Sequence, residues 1–225
     1  MNSDEFPVDP GAPLFFLSYA HGRQSPLGQS TVQAEVSQYV VHLFQDLSIH
    51  VSELVGLPTG ADPGFMDAVM GGGQQWTPEL LRATGTCQVF VALISPSLIR
   101  SQWCGLEWHA FTRRPVKSRN PHTRTHETAV IPVTWSATPK ADLPLAVARI
   151  QRFNPVGLPD PQVELRYRDE GIYGLRTLGL DNAYKAVVWR LAQRIVAVRR
   201  SLWVQEMIPE HESDLDNVFT DREGR

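Results

Sequence analysis

The segment from Cys87 to Ile94 is the strongest strand signal in the chain, and it is apolar at positions that point to both faces of a sheet. A strand of this kind belongs in a sheet that is covered on both sides, as parallel sheets wrapped by helices are. Two further apolar runs of strand length lie at 14–17 and 130–135. In the second of them Pro132 lacks a backbone donor, which indicates an edge position or a bulge.

Segments with helical features stand between and after these strands, at 32–55, 77–85, 101–113, 143–151 and 184–204. Very short strands are predicted at 64–67 and 152–153. The stretch 154–180 is rich in Pro and Gly and is predicted to be irregular. Strands that alternate with helices in this order predict an α/β fold, with a parallel sheet and helices on both faces.

The 225-residue chain is long enough for one large domain with tails. We expect a flexible leader at 1–11, a single domain at 12–203 and an acidic, disordered tail at 204–225. From Gln205 onward the sequence holds seven acidic residues and two arginines, which is typical of a solvated segment. The basic loop at 113–124 is predicted to be solvated.

Composition excludes several classes of function. A net charge of −3 does not fit a globally basic nucleic-acid-binding protein. Two cysteines in a chain of this length do not make a secreted disulfide framework, and no Cys/His cluster has the spacing of a zinc site. The longest apolar runs are strand-sized, and no signal peptide is recognised. We therefore expect a cytoplasmic protein with no bound metal and no membrane partner.

Ligands of open parallel sheets bind outside the carboxyl ends of the strands, where the strand order reverses. The first predicted strand ends at Ser18 and Tyr19, and the third ends at 95–97. The helix after the third strand begins nearby and carries Trp103 and Glu107. The sequence therefore predicts a crevice lined by Tyr19, Trp103 and Glu107.

Several stretches together resemble a Toll/interleukin-1 receptor (TIR) domain: Phe16-Leu17-Ser18-Tyr19, the Gly/Trp loop at 71–76, the strand and Ser-Pro-Ser segment at 90–97, and Ser101-x-Trp103-Cys104-x-x-Glu107-Trp108. The resemblance covers about residues 12–203. It implies a flavodoxin-like fold with a five-stranded parallel sheet of order 2-1-3-4-5. Three further stretches are similar to the actinobacterial FxsC-type subgroup: 64–67, 104–108 and 171–175.

The resemblance to TIR domains implies two different functions. Many bacterial and plant members cleave NAD⁺ at the nicotinamide–ribose bond with one glutamate, and Glu107 stands at that position. Other members only assemble with partner TIR domains through the loop after the second strand, which corresponds here to 68–77 and contains Trp76. NAD⁺ is then a substrate, no cofactor is needed, and self-association or another TIR or pathway protein is expected.

One carboxylate suits the cleavage of NAD⁺ because the nicotinamide ring nitrogen already carries a positive charge and leaves without a general acid. The transition state is an oxocarbenium ion on the ribose, which a nearby carboxylate stabilises. Aromatic walls exclude water and stack on the rings of the nucleotide. We expect Glu107 to be catalytic and Ser18, Tyr19, Trp76 and Trp103 to shape the nucleotide pocket.

Three alternatives remain open at the level of the sequence. Glu107 lies at the edge of the apolar stripe of its helix and could be an ordinary solvated carboxylate. The protein could be a non-catalytic interaction module that recruits partners in a bacterial peptide-modification or defence pathway. A nucleoside or nucleotide hydrolase on a related fold would also use a lone glutamate at the C1′ bond of a ribose.

Overall fold

The computed structural model describes residues 6–20, 31–58, 60–67, 76–120 and 127–220. Its strands are β1 (Phe15–Ser18), β2 (Gly64–Met66), β3 (Val89–Ile94), β4 (Val116–Ser118), β5 (Val130–Thr134) and β6 (Leu202–Val204). Four of them form a parallel sheet in the order β2-β1-β3-β5. All six residues of β3 are buried, which confirms that this strand is covered on both faces.

Helices surround this sheet: α1 (Thr31–Val55), α2 (Pro78–Thr86), α3 (Gln102–Thr112), α4 (Leu145–Ala148), α5 (Pro161–Thr177) and α6 (Asp181–Ser201). Helices α1, α5 and α6 pack against one another, and α2 packs against α3. The predicted α/β fold, with a parallel sheet flanked by helices, is therefore confirmed.

The sheet has one strand fewer than the five we predicted, among the residues that the structure describes. The predicted fifth strand at 152–153 contributes one backbone hydrogen bond, from the Phe153 N–H to the Pro132 carbonyl at 2.8 Å, and it forms no ladder. The first four predicted strands do follow the order 2-1-3-4. Because β5 pairs only with β3 in the described chain, Pro132 lies on an edge strand, where a missing donor is tolerated.

A separate two-stranded antiparallel sheet joins β4 to β6. It corrects two predictions: the loop at 113–124 was expected to be solvated, but it contains β4, and the last helix was expected to continue to Val204. Instead α6 ends at Ser201, and Leu202–Val204 are buried as a strand. The pairing joins segments that are far apart in the sequence, and local patterns carry no signal of such a partner.

Helix α5 lies in the stretch predicted to be irregular. Asp160 caps it by accepting a hydrogen bond from the Gln162 N–H at 2.9 Å, and Pro161 occupies the first turn. The helix is broken at Gly171, whose φ of 68° is in the left-handed region. A side chain at this position would also overlap with the Trp135 carbonyl, so the glycine that suggested a loop marks a close approach to β5.

Both ends of the chain pack on the domain where we expected a flexible leader and a disordered tail. Near the amino end, the Trp203 indole N–H donates to the Pro7 carbonyl at 2.9 Å. At the other end, Leu215 and Phe219 are buried. A few apolar side chains are enough to order these polar segments once the docking surface exists. Residues 1–5 and 221–225 lie outside the described part of the chain.

Candidate functional site

Glu107 lies on α3, the helix that follows β3. The Ser101 hydroxyl caps this helix by accepting a hydrogen bond from the Cys104 N–H at 3.3 Å. The cap fixes where the helix begins, and it sets which residues face the sheet. Glu107 is turned inward and is only 6% exposed, so the alternative of a solvated helix carboxylate is wrong.

Ser18 is the last residue of β1, and its hydroxyl donates a short hydrogen bond to Oε2 of Glu107. Residues 89 sequence positions apart meet because β1 and β3 are neighbours in the sheet, with Ser18 in register with Ala92. The contact therefore lies at the carboxyl edge of the two central strands. This is the edge at which the sequence predicted a crevice.

The electrostatics of Glu107 are unusual for a carboxyl group. Burial raises its pKa from 4.5 to about 8, and the negative charge of Asp67 acts in the same direction. The hydrogen bond from Ser18 opposes this rise because it stabilises the anion. At neutral pH the carboxyl group is therefore mostly protonated in the free protein.

Three other titratable groups complete the surroundings of Glu107. Tyr19 follows β1, Asp67 follows β2, and Cys104 stands one helical turn before Glu107 on α3. Burial raises the pKa of Tyr19, and the charges of Asp67 and Glu107 add to that effect. Burial likewise raises the pKa of Cys104, with a further contribution from Glu107. The neutral forms of Glu107, Tyr19 and Cys104 are therefore favoured in the absence of a ligand.

Asp67 is the residue of this cluster that the sequence analysis missed. It directly follows β2, so the rule that placed Ser18 and Tyr19 at the carboxyl edge also applies to it. Cys104 was expected to be a small buried side chain, and its 2% exposure confirms this. Its raised pKa keeps the thiol protonated, which does not suit a nucleophile.

The two predicted tryptophans lie on different parts of the chain: Trp103 is on α3 one turn before Glu107, and Trp76 shortly precedes α2. Trp76 is buried, and its indole N–H has no hydrogen-bond partner in the described part of the chain. Trp103 is half-buried and packs against the hydrophobic core. Neither forms a hydrogen bond or a ring contact with Glu107 among the described residues. Most of the predicted assembly loop, 68–75, lies outside those residues, as does 21–30.

Two cavities lie on the described surface away from Glu107. One, of about 610 Å³, is lined by residues of α1, α5 and α6, and the other, of about 540 Å³, lies between α1 and β2. The described residues contain no group of three or more His, Cys, Asp and Glu side chains placed to hold a metal ion. His122 and His126, which stand four positions apart in the sequence, are outside the described residues.

Comparison with known protein families gives one match. Residues 58–164, just under half of the chain, match the family model described as the TIR domain. Over these residues the chain is similar to a TIR domain. The match includes Trp76, Trp103 and Glu107, whereas Ser18 and Tyr19 precede it. The four-stranded parallel sheet flanked by helices is consistent with the flavodoxin-like fold of TIR domains.

No curated protein and no solved structure gives a significant match to the chain. The expected FxsC-type subgroup and the actinobacterial affiliation therefore receive no support from the comparisons. TIR domains commonly associate with one another or with other TIR proteins. No helix in the described residues is both long enough and apolar enough to cross a membrane.

Proposed function

We propose that this TIR domain is an NAD⁺ glycohydrolase that cleaves the nicotinamide–ribose bond and is activated by self-association. The observation that carries the proposal is the buried contact between Ser18 and Glu107 at the carboxyl edge of β1 and β3. Parallel α/β sheets bind their ligands at this edge. A carboxyl group held there by a strand hydroxyl, with a strongly raised pKa, fits a functional role better than a purely structural one.

The reaction needs one negative charge close to the sugar. The C1′–N bond of NAD⁺ breaks, and its electron pair leaves with nicotinamide, which departs as a neutral molecule. Water then adds to the oxocarbenium carbon and releases a proton, giving ADP-ribose. Ionised Glu107 would stabilise the positive charge that develops on the ribose. Ser18 would keep the carboxylate oriented throughout, because its hydroxyl donates to Oε2.

A positively charged ligand would favour ionisation of the Glu107 carboxyl group. Burial and Asp67 hold the Glu107 carboxyl in its protonated form, whereas a positive ring nitrogen nearby favours the carboxylate. NAD⁺ carries that charge on the nicotinamide ring. Substrate binding would therefore generate the anion that the transition state needs, and Tyr19, Trp76 and Trp103 remain the proposed residues of the nucleotide pocket.

The test is the release of nicotinamide from NAD⁺, measured for the full chain over a series of protein concentrations. We expect a rate per molecule that rises with concentration, and a loss of at least about a hundredfold in Glu107→Gln, because a transition-state charge contact contributes about 2.7–4 kcal/mol. Glu79→Gln is the matched control, since Glu79 is an exposed carboxylate on the neighbouring helix α2. Equal rates in wild type and Glu107→Gln would rule out the hydrolase.

The second candidate is a non-catalytic TIR interaction module in a cytoplasmic bacterial pathway of peptide modification or defence. The observation that favours it is the burial of Glu107 against Ser18, which a carboxyl group with a purely structural role would also show. The pathway itself rests on the resemblance to FxsC-type proteins. Co-purification with other TIR proteins that survives Glu107→Gln, together with no nicotinamide release at any concentration, would favour this function.

A further inference from the structure

Residues 205–220 form a strap that runs from the end of β6 across α2 and α3. Its first part is fixed by backbone hydrogen bonds: the Gln205 N–H donates to the Pro115 carbonyl at 2.9 Å, and the Met207 N–H donates to the Gly85 carbonyl at 3.0 Å. The buried Arg114 guanidinium donates to the Gln205 carbonyl at 2.9 Å. The strap is therefore attached to the α2 end of the domain before it reaches α3.

The second part of the strap lies on α3. The Asp216 N–H donates to Nδ1 of His109 at 2.7 Å, and Arg113 donates to the Asp214 carbonyl at 3.2 Å. The Phe219 ring meets the indole of Trp108 edge to face at a centroid distance of 5.6 Å. Phe219 is only 5% exposed, so this contact is buried from solvent like those of the core.

Gly105 shows how closely the strap approaches the helix. A Cβ atom at this position would overlap with Oδ1 of Asn217, and the next nearest atoms belong to the same asparagine, with its Cα at 3.5 Å. Gly105 lies two residues before Glu107. Glycine in the middle of α3 therefore lets the strap lie directly against the helix backbone.

An aromatic series connects the strap to the Ser18–Glu107 contact. Trp108, next to Glu107, stands between Phe219 of the strap and Phe90 of β3. Phe90 in turn stacks on Phe16 of β1 at 5.5 Å, two residues before Ser18. The strap thus presses α3 onto the same two strands that hold the serine.

We propose that the strap is a positioning element for Glu107, which sets how deeply α3 and its carboxyl group are buried against Ser18. The effect of the strap on catalysis rests on the proposed function, whereas the position of the strap against α3 does not. Among the described residues, the groups that act on the charge of Glu107 lie outside the strap: Ser18 ends β1, Tyr19 follows it, Asp67 follows β2, and Cys104 lies on α3. The strap acts through the position of the helix and not through its own acidic residues.

The test uses two substitutions, one that creates a steric overlap between the strap and α3 and one that removes it. Gly105→Ala places a methyl group where the Asn217 side chain lies and should lift the strap from α3. Asn217→Ala removes the overlapping atoms, so the double variant Gly105→Ala/Asn217→Ala should restore the native contact. Gly85→Ala is the matched control, because its Cβ would come within 2.6 Å of the Ile208 Cα and would disturb the strap over α2 only.

The first readout is the titration of the Glu107 carboxyl carbon by NMR, which needs no activity. In Gly105→Ala we expect its pKa to fall by about one pH unit, since water then reaches the carboxyl group. The double variant and Gly85→Ala should titrate like the wild type. An unchanged titration in Gly105→Ala, or the same fall in Gly85→Ala, would overturn the proposal.

The second readout is the kinetics of nicotinamide release. We expect kcat to fall by about tenfold in Gly105→Ala with KM little changed, because a small displacement of a catalytic group acts mainly on the chemical step. The double variant should recover kcat, and a lost kcat without recovery would contradict positioning by the strap. If the NMR titrations behave as expected and no variant releases nicotinamide, the strap still positions Glu107 and the hydrolase proposal fails.

Discussion

Replacing Glu107 by glutamine should change how the stability of the protein depends on pH. The substitution keeps the size and the hydrogen-bond acceptor for Ser18, and it removes the ionisable proton. In the wild type the folded state binds that proton more tightly than the unfolded state, because burial raises the pKa of Glu107 from 4.5 to about 8. The free energy of unfolding must then fall as the pH rises between these two values.

The size of the effect follows from the two pKa values. Below pH 4.5 both states are protonated, and the stabilising contribution of the bound proton is fully present. Between pH 4.5 and 8 each pH unit lowers the free energy of unfolding of the wild type by about 1.4 kcal/mol. By pH 8 the wild type should therefore have lost about 5 kcal/mol of stability relative to Glu107→Gln. Above that pH the carboxyl group is ionised in both states, and the difference between the two proteins becomes constant.

Urea unfolding of both proteins at a series of pH values between about 5 and 9 measures this difference. Titrations of all other groups cancel, because the two chains share them. Glu79→Gln serves as the control and should follow the wild type at every pH, since Glu79 is exposed. A difference between wild type and Glu107→Gln that stays level across the window would show that the carboxyl group is already ionised in the folded protein.

Three further predictions follow from the same geometry. The kcat/KM for NAD⁺ should rise with pH and level off above an apparent pKa of about 8, since the carboxylate is the active form; a pH-independent value would contradict this. Binding of NAD⁺ at neutral pH should release close to one proton, measured by calorimetry in buffers of different ionisation enthalpy, whereas the uncharged ring of NADH should release almost none. Gly171→Ala should lower the free energy of unfolding, measured in urea, by more than about 2 kcal/mol, because the new methyl group meets the Trp135 carbonyl. Gly179 has a similar φ of 67° but open space around its Cβ position, so Gly179→Ala should lose only about 1 kcal/mol.

The sequence predicted best the elements whose signal is local. The burial of β3 on both faces follows from its uniform apolar character, and α1, α2, α3 and α6 lie in segments whose local helical features predicted them. Helix α5 was missed because Gly171 was interpreted as part of a loop. The Asp160-Pro161 pair is a helix-start signal in the sequence that the prediction did not use.

The candidate site was predictable in part. The carboxyl-edge rule predicted a crevice lined by Tyr19, Trp103 and Glu107 at the end of the strand that holds Ser18, and the same rule could have added Asp67. The extent to which the pKa of Glu107 rises was not predictable, because it depends on how completely α3 is covered. That cover comes in part from Phe219, which lies in a segment whose polar composition is typical of a solvated tail.

Stability and activity make opposite demands on Glu107 under the proposed function. The folded protein is most stable with a neutral carboxyl group, and the transition state needs the anion. A more exposed glutamate would be ionised at neutral pH, but water would then screen the charge that is meant to stabilise the oxocarbenium ion. Deep burial keeps that interaction strong only if something else offsets the desolvation of the carboxylate. The positive nicotinamide ring can do so, and it is lost as a neutral molecule when the bond breaks. Ionised Glu107 is therefore a property of the complex with substrate, and after nicotinamide leaves, the return of a proton to Glu107 resets the site.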